Sequence, residues 1–308
     1  MLSFEPYKFA KIVVIRCLSE LHPGTGRGGE IVDLMVQRDS VGFPVIYGSS
    51  IKGSMKTALY HRNKDLMALL GPEPDEEEKY LSPIAIMTSY LISFPVRSLK
   101  GIYTNVTSPF LLRRFANYLE MASVLNERYG EIAERVKAIA KTGKFPATKG
   151  FINRHVVDGL GKAFLCEEIG IDKDLIEESD DMDYLRGLLG LDDESLISID
   201  DDRAKDLVER SLMRIARIRV DRERKTVARG GLWTEEAIPA GTIFSTVFLG
   251  YSHEYVKNIL KKGGSGGEER EEELRENPID VILEKAKYLI LGGDESIGRG
   301  IVMLRGVE

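Results

Sequence analysis

The sequence predicts an α+β fold. Three observations carry that expectation. β-branched, apolar runs near residues 9–18, 242–249 and 300–305 read as strands. Apolar residues after Pro109 recur at helical spacing. The two kinds of segment alternate irregularly, with glycine loops between them and no repeat of fixed period, which argues against a doubly wound parallel sheet. A chain of 308 residues buries a core without help from disulfides or metals.

Taken in order, residues 9–18 form a strand. Acidic Glu5 precedes the run and Arg16 breaks it, so it is not read as a signal peptide. A glycine-rich stretch, His22 to Gly29, follows, then a mixed stretch from Ile31 to Arg38. Phe43–Tyr47 reads as a short strand, and Gly48-Ser49-Ser50 opens a helix over 51–62 with Ser49 or Ser50 as the N-cap. Residues 71–82 are a polar turn, and 84–96 a strand ending at Pro95. Pro109 opens one helix, and a second covers 123–141. The acidic stretch near 172–210 is expected to be helical, with turns at Gly187 and Gly190. Residues 215–229 suggest a hairpin turning at Asp221–Glu223. Residues 253–262 and 278–289 read as helices, and the GGSGG between them is set aside from function. The end reads as a glycine loop followed by a strand.

Charge and composition exclude several classes. No stretch of 18 uninterrupted apolar residues occurs, so no membrane span is expected. The two cysteines, Cys17 and Cys166, stand in unrelated contexts, which suggests a reducing, cytoplasmic setting and no cysteine metal site. The net charge of −6 argues against a generic nucleic-acid binder. That average hides a segregation. Residues 172–202 carry thirteen acids against two basic residues, while 213–229 carry seven basic residues against two acids. A basic face is available if the acidic segment folds away from it; an ordinary solvated surface is the alternative.

Three constellations bear on chemistry. In Gly48-Ser49-Ser50-Ile51-Lys52, a strand feeds a helix whose free N–H groups suit a phosphate, and Lys56 lies one turn beyond Lys52. A capped helix with surface lysines explains it equally well, and the Walker A spacing fails. In Gly292–Gly300, Gly293, Gly298 and Arg299 form a loop that permits close backbone approach and a guanidinium clamp; a tight turn is the alternative. His22 and Asp33 flank the first glycine stretch. An acid beside bound phosphates holds a metal or assists attack by a 2′-hydroxyl, whereas His22 is better read as a hydrogen-bonded structural histidine. His61, His155 and His253 read as structural or surface residues.

Together, His22-x-Gly24-x-Gly26, Val32-Asp33-Leu34 with Gln37-Arg38, and Gly42-Phe43-Pro44-Val45-Ile46-x-Gly48-Ser49-Ser50-x-Lys52-Gly53 resemble the RAMP superfamily of CRISPR-associated proteins. Phe94-Pro95-Val96-Arg97-Ser98-Leu99-Lys100-Gly101, Gly231-Leu232-Trp233-Thr234-Glu235-Glu236 and Leu291-Gly292-Gly293 with Gly298-x-Gly300 resemble one branch, the repeated backbone subunit of type III-B effector complexes. The resemblance implies a single elaborated domain over 1–308. It would comprise an RRM-like (ferredoxin-like) palm, about 8–120 and 240–308, a helical insertion, about 121–212, and a β-hairpin thumb, about 213–239. Its partners would be a CRISPR RNA, a complementary target RNA, further copies of the chain and other complex subunits, with no membrane. Asp33 would cut target RNA with a divalent metal (Mg2+ or Mn2+), supported by His22 and Glu236. Ser49, Ser50 and Lys52 would hold guide phosphates, with Lys56, Arg97 and the Gly293, Gly298 and Arg299 loop nearby. Arg217 and Arg219 would face the duplex, and Trp233 would pack under the hairpin or stack on a displaced base. Two other readings stay open: the same scaffold without cutting activity, and a stand-alone nuclease that processes precursor CRISPR RNA without metal.

Overall fold

The computed structural model describes residues 5–27, 32–73, 75–77, 79–262 and 277–308; the side chains of His61, Arg62, Lys261 and Lys262 are outside that description. The expected GGSGG segment and Gly28-Gly29 also lie outside the described residues. The fold is mixed α+β and is organised around one large sheet.

Strand β1 (Tyr7–Cys17) lies inside that sheet, and its side chains alternate between two cores. Val13, Ile15 and Cys17 face one apolar cluster; Ile12 and Val14 face the other. Strands β2 (Gly24–Arg27) and β3 (Leu34–Val36) pair as a short antiparallel ribbon. Strand β4 (Val45–Ile46) leads into helix α1 (Gly48–Arg62), whose Ile51, Met55 and Leu59 are fully buried at one-turn spacing. This helix starts earlier than expected. Its N-cap is Tyr47, with no side-chain capping bond, so Ser49 and Ser50 stand inside the first turn. Gly48 is demanded by packing, because a Cβ there would sit 2.1 Å from the Ile86 carbonyl oxygen.

Strands β5 (Ile84–Ile86), β6 (Ser89–Ser98) and β7 (Ile102–Thr107) follow. The strand expected to stop at Pro95 runs on to Ser98. Pro95 pairs with Asn105, whose N–H donates to Ser195 instead, so this is a non-hydrogen-bonded pair and the missing proline N–H costs the ladder nothing. Helix α2 (Pro109–Ser123) is capped by Ser108 and packs on α3 (Arg128–Ala140).

The stretch near 172–210, expected to be helical, is helical only in part, and strands run through the region from 145 to 198. This region holds strands β8 (Phe145–Ala147), β9 (Val156–Val157), β10 (Lys162–Leu165), β11 (Ile169–Asp172), β12 (Ile176–Glu178) and β13 (Leu196–Ser198). Helices α4 (Phe151–His155), α5 (Asp180–Leu189) and α6 (Asp201–Ser211) are interleaved with them. Gly187 sits inside α5, and Gly190, at φ 69°, terminates it. The acids gather in the first turns of α5 and α6, where the positive helix ends favour them.

Strands β14 (Met213–Val220) and β15 (Val227–Ala237) form the expected hairpin; the Asp221 carboxylate accepts from the Glu223 and Arg224 N–H groups in its turn. Strand β16 (Ile243–Tyr251) and helices α7 (His253–Lys262) and α8 (Pro278–Lys285) precede β17 (Tyr288–Ile290) and β18 (Ile301–Gly306). The helix expected over 278–289 thus ends at Lys285, and the Gly292–Gly300 loop joins two antiparallel strands, not a helix to a strand. The large sheet runs β12-β8-β13-β7-β6-β16-β1-β18-β17, and a second sheet runs β14-β15-β3-β2.

Candidate functional site

Three consecutive residues of β15 gather most of the predicted site. The parallel pairing of Glu235 with Leu34 sets Asp33 beside Thr234. Asp33 Oδ2 accepts from the Thr234 N–H at 2.7 Å and from its hydroxyl at 3.0 Å, and the Asp33 N–H donates to that hydroxyl at 3.2 Å. Asp33 is itself exposed, so the carboxylate is anchored from the protein side and faces solvent.

Glu235 and Glu236 then point to opposite faces of the strand, as neighbours in a strand must. Both are buried. Glu235 takes Arg217 at 2.9 Å, Trp233 Nε1 at 3.4 Å and Arg299 in a close ion pair. Arg299 also holds Asp294 at 2.9 Å. Burial alone would raise the Glu235 carboxyl, but the Arg299 and Arg217 guanidiniums outweigh it and hold the group below the usual glutamate range. On the other face, Glu236 accepts from Arg38 Nη2 at 3.1 and 3.2 Å, while Arg38 also reaches Glu209 of α6. The Glu236 carbonyl lies 2.6 Å from His22 Nδ1, so that nitrogen is the donor. His22 is in turn covered by the terminal glycine loop. The Gly293 N–H donates to the His22 carbonyl at 3.0 Å, and a Cβ at Gly292 would sit 2.3 Å from that carbonyl oxygen.

The structure therefore brings Asp33, His22, Glu236, Arg217, Gly293 and Arg299 to one strand. His22 is buried and bonded. Glu236 is buried against Arg38, and Arg299 is paired with Glu235 and Asp294. Trp233 is half-buried at the hairpin base, with the Arg217 guanidinium 5.8 Å from its ring centre. Arg219 is exposed on β14, and Gly298 has open space above it. Arg38 and Thr234 gain their importance from pairs about 200 positions apart, for which a single sequence carries no local signal, whereas Asp294 meets Arg299 within its own loop.

The other predicted residues lie elsewhere. Ser49 is exposed at the start of α1. Lys56 is tied to the Pro72 carbonyl at 3.0 Å and Glu73 at 2.9 Å. Lys52 has no acidic partner among the described residues, and burial followed by the Lys56 charge lowers its pKa. Replacing Lys52 with Ala is expected to weaken RNA binding alike for all sequences and to reduce the salt slope by about one unit. A titration at several salt concentrations checks this; an unchanged slope makes Lys52 a mere surface residue. Arg97 stands at the end of β6, beside Glu167 at 3.3 Å.

A family model described as "RAMP superfamily" matches residues 14–302. The chain is 29% identical, over 95% of its own length and 94% of the relative's, to the "CRISPR system Cmr endoribonuclease Cmr4" of Pyrococcus furiosus. It is 28% identical, over 99% of both, to the "CRISPR system CMR subunit Cmr4" of Saccharolobus solfataricus. Among solved structures, it superimposes on a chain of the type III-B Cmr-beta complex bound to cognate target RNA with a TM-score of 0.78. That match has 29% identity and covers 98% of both chains. A crystal structure of oligomeric Cmr4 from Pyrococcus furiosus matches at a TM-score of 0.60 and 25% identity, over 97% of this chain and 98% of that one. The motifs read in the sequence and the extent of these matches agree: the chain belongs to the RAMP superfamily.

Proposed function

We propose that this RAMP protein is the repeated backbone subunit of a type III-B effector complex, holding a CRISPR RNA and cutting the complementary target RNA. The observation that carries the cutting role is Asp33, an exposed carboxylate fixed by Thr234 at the base of a basic hairpin. Its relatives are named as Cmr4 subunits, one of them as an endoribonuclease. In this reading the large sheet belongs to an RRM-like palm, residues 213–239 form a thumb, and copies stack along the guide in the cytoplasm. Guide bases supply sequence specificity while the protein holds the backbone.

The chemistry starts from RNA itself. A 2′-hydroxyl beside the scissile phosphate cuts the strand by internal attack once it lies in line, and stacked A-form geometry holds it out of line. A thumb that displaces a base supplies the distortion; Asp33 accepts the hydroxyl proton as the 2′-oxygen bonds to phosphorus, and the P–O5′ bond breaks with the leaving 5′-oxygen taking a proton from water. Among the described residues no group of three or more His, Cys, Asp or Glu could hold a metal by itself, so Asp33 is the protein's one oxygen donor proposed to hold Mg2+ or Mn2+ here. When bound, the cation stabilises charge on the phosphate.

A guide-loaded complex should cut labelled complementary RNA, leave 5′-hydroxyl ends, lose activity in EDTA and spare a DNA target. Tight target binding without cutting would favour the scaffold reading. Processing of precursor CRISPR RNA by the isolated chain in EDTA would favour the stand-alone nuclease.

A further inference from the structure

The turn end of the β6–β7 hairpin carries a second constellation, separate from Asp33. Arg97 and Tyr103 are directly opposed across the two strands, and so are Pro95 and Asn105. All four therefore share one face of the sheet. Below them opens a cleft of about 450 Å³ lined by Arg16, Leu18, Pro95, Tyr103, Glu194 and Gly241, among others. Tyr103 is 42% exposed and Leu18 44%, so the cleft has an aromatic and aliphatic rim open to solvent.

Its floor is polar and built. Glu194 is paired with Arg16 and accepts from Asn105 Nδ2 at 2.9 Å. Asn105 is fully buried, yet its Oδ1 has no partner among the described residues. Tyr103 and Glu194 line the same cleft, and burial, then the Glu194 charge, raise the phenol pKa, so the hydroxyl stays protonated. Tyr103 is carried by the paired backbone of β7 at the edge of the cleft while part of its ring surface stays open. An amphipathic ring held in this way is a preformed stacking platform. Arg97, 72% exposed, makes only a solvent-screened pair with Glu167, which a phosphate displaces at little cost.

Resting on the RNA-binding reading above, we infer that Tyr103 is a stacking platform for one unpaired base of single-stranded RNA, with Arg97 on that nucleotide's phosphate. The favoured ligand is RNA over protein because the rim pairs one aromatic ring with one guanidinium, the combination that takes a base and its phosphate.

The test uses the full chain in its guide-loaded complex, with guide RNAs carrying one 4-thiouridine each at successive positions. Irradiation and mass spectrometry should find Tyr103 crosslinked to particular positions. In titrations with unmodified guide, Tyr103→Ala should weaken binding about tenfold or more, and Tyr103→Phe should stay within about twofold of the native chain. Equal losses for Ala and Phe would overturn the inference, because the hydroxyl and not the ring would then matter. Wild-type affinity in Tyr103→Ala, or a Tyr103 crosslink to a second protein copy alone, would overturn it too. If Tyr103→Ala does not fold, the native crosslink and the Phe variant decide. A native chain that binds no guide RNA at all would sink the proposed function along with this inference, which separates the two failures.

Discussion

Target cleavage should fall by about 10²–10⁴-fold when every copy in the complex carries Asp33→Asn, the usual worth of a positioned acid–base group. Assembly and target binding should survive. The amide keeps an oxygen that accepts from the Thr234 N–H and hydroxyl, so the local frame stays closed while the proton acceptor is lost. Asp33→Ala removes the Thr234 partner as well and should cut no better. The measurement is cleavage of labelled target RNA by reconstituted complexes, with filter binding as the control for retained affinity. Native cutting rates in Asp33→Asn would transfer the chemistry elsewhere and leave this subunit a scaffold.

The largest stability effect is expected at Glu235. Breaking a buried ion pair from one side costs about 3–5 kcal/mol, because the charges left behind are uncompensated. Glu235→Ala strands Arg299 and Arg217 with only Asp294 between them. Urea unfolding of native and variant chains at neutral pH reads the difference directly. The pH dependence has a definite sign. The folded-state pKa of Glu235 is depressed, so its contribution is complete above the unfolded value, roughly 4.3, and is lost as pH falls through the lower folded value. The gap between native and Glu235→Ala should therefore narrow on acidification below that range. A gap of constant size down to pH 3 would show that packing, not charge, sets the cost.

Some of this was legible in the residues. Strand β1 and helices α2 and α3 announce themselves by period, since each buries one regular set of apolar positions. The hairpin declares itself through alternation and an Asp turn. The acidic stretch misleads for a physical reason. Its charge density looks like a solvated helix, but short strands such as Ile176–Glu178 and Leu196–Ser198 are fixed by β8 and β7, not by propensity. Asp33 stands out because it flanks the glycine-rich stretch and falls in Val32-Asp33-Leu34, one of the segments that carry the family resemblance. The ion pairs that frame it do not, since Arg299 meets Glu235 across 64 positions and Arg38 meets Glu236 across 198. Only the register of β15 against β3 and β14 brings them together.

That register has a metrical consequence. Val227 at the hairpin turn pairs with Val220 and Thr234 at its base pairs with Ala216, so along β14 the two marks lie four residues apart, about 13 Å of extended backbone, while β15 bulges between Val227 and Leu232. Whatever touches the turn is held at a fixed distance from the carboxylate that Thr234 carries. The strand is a ruler as well as a support. Lengthening β14 and β15 by two residues each keeps every side chain on its face but moves the mark by about 6–7 Å, roughly the step between successive nucleotides in an extended strand. In the proposed reading, such an insertion should shift the position of the cut and not only its rate, which mapping of the product ends checks.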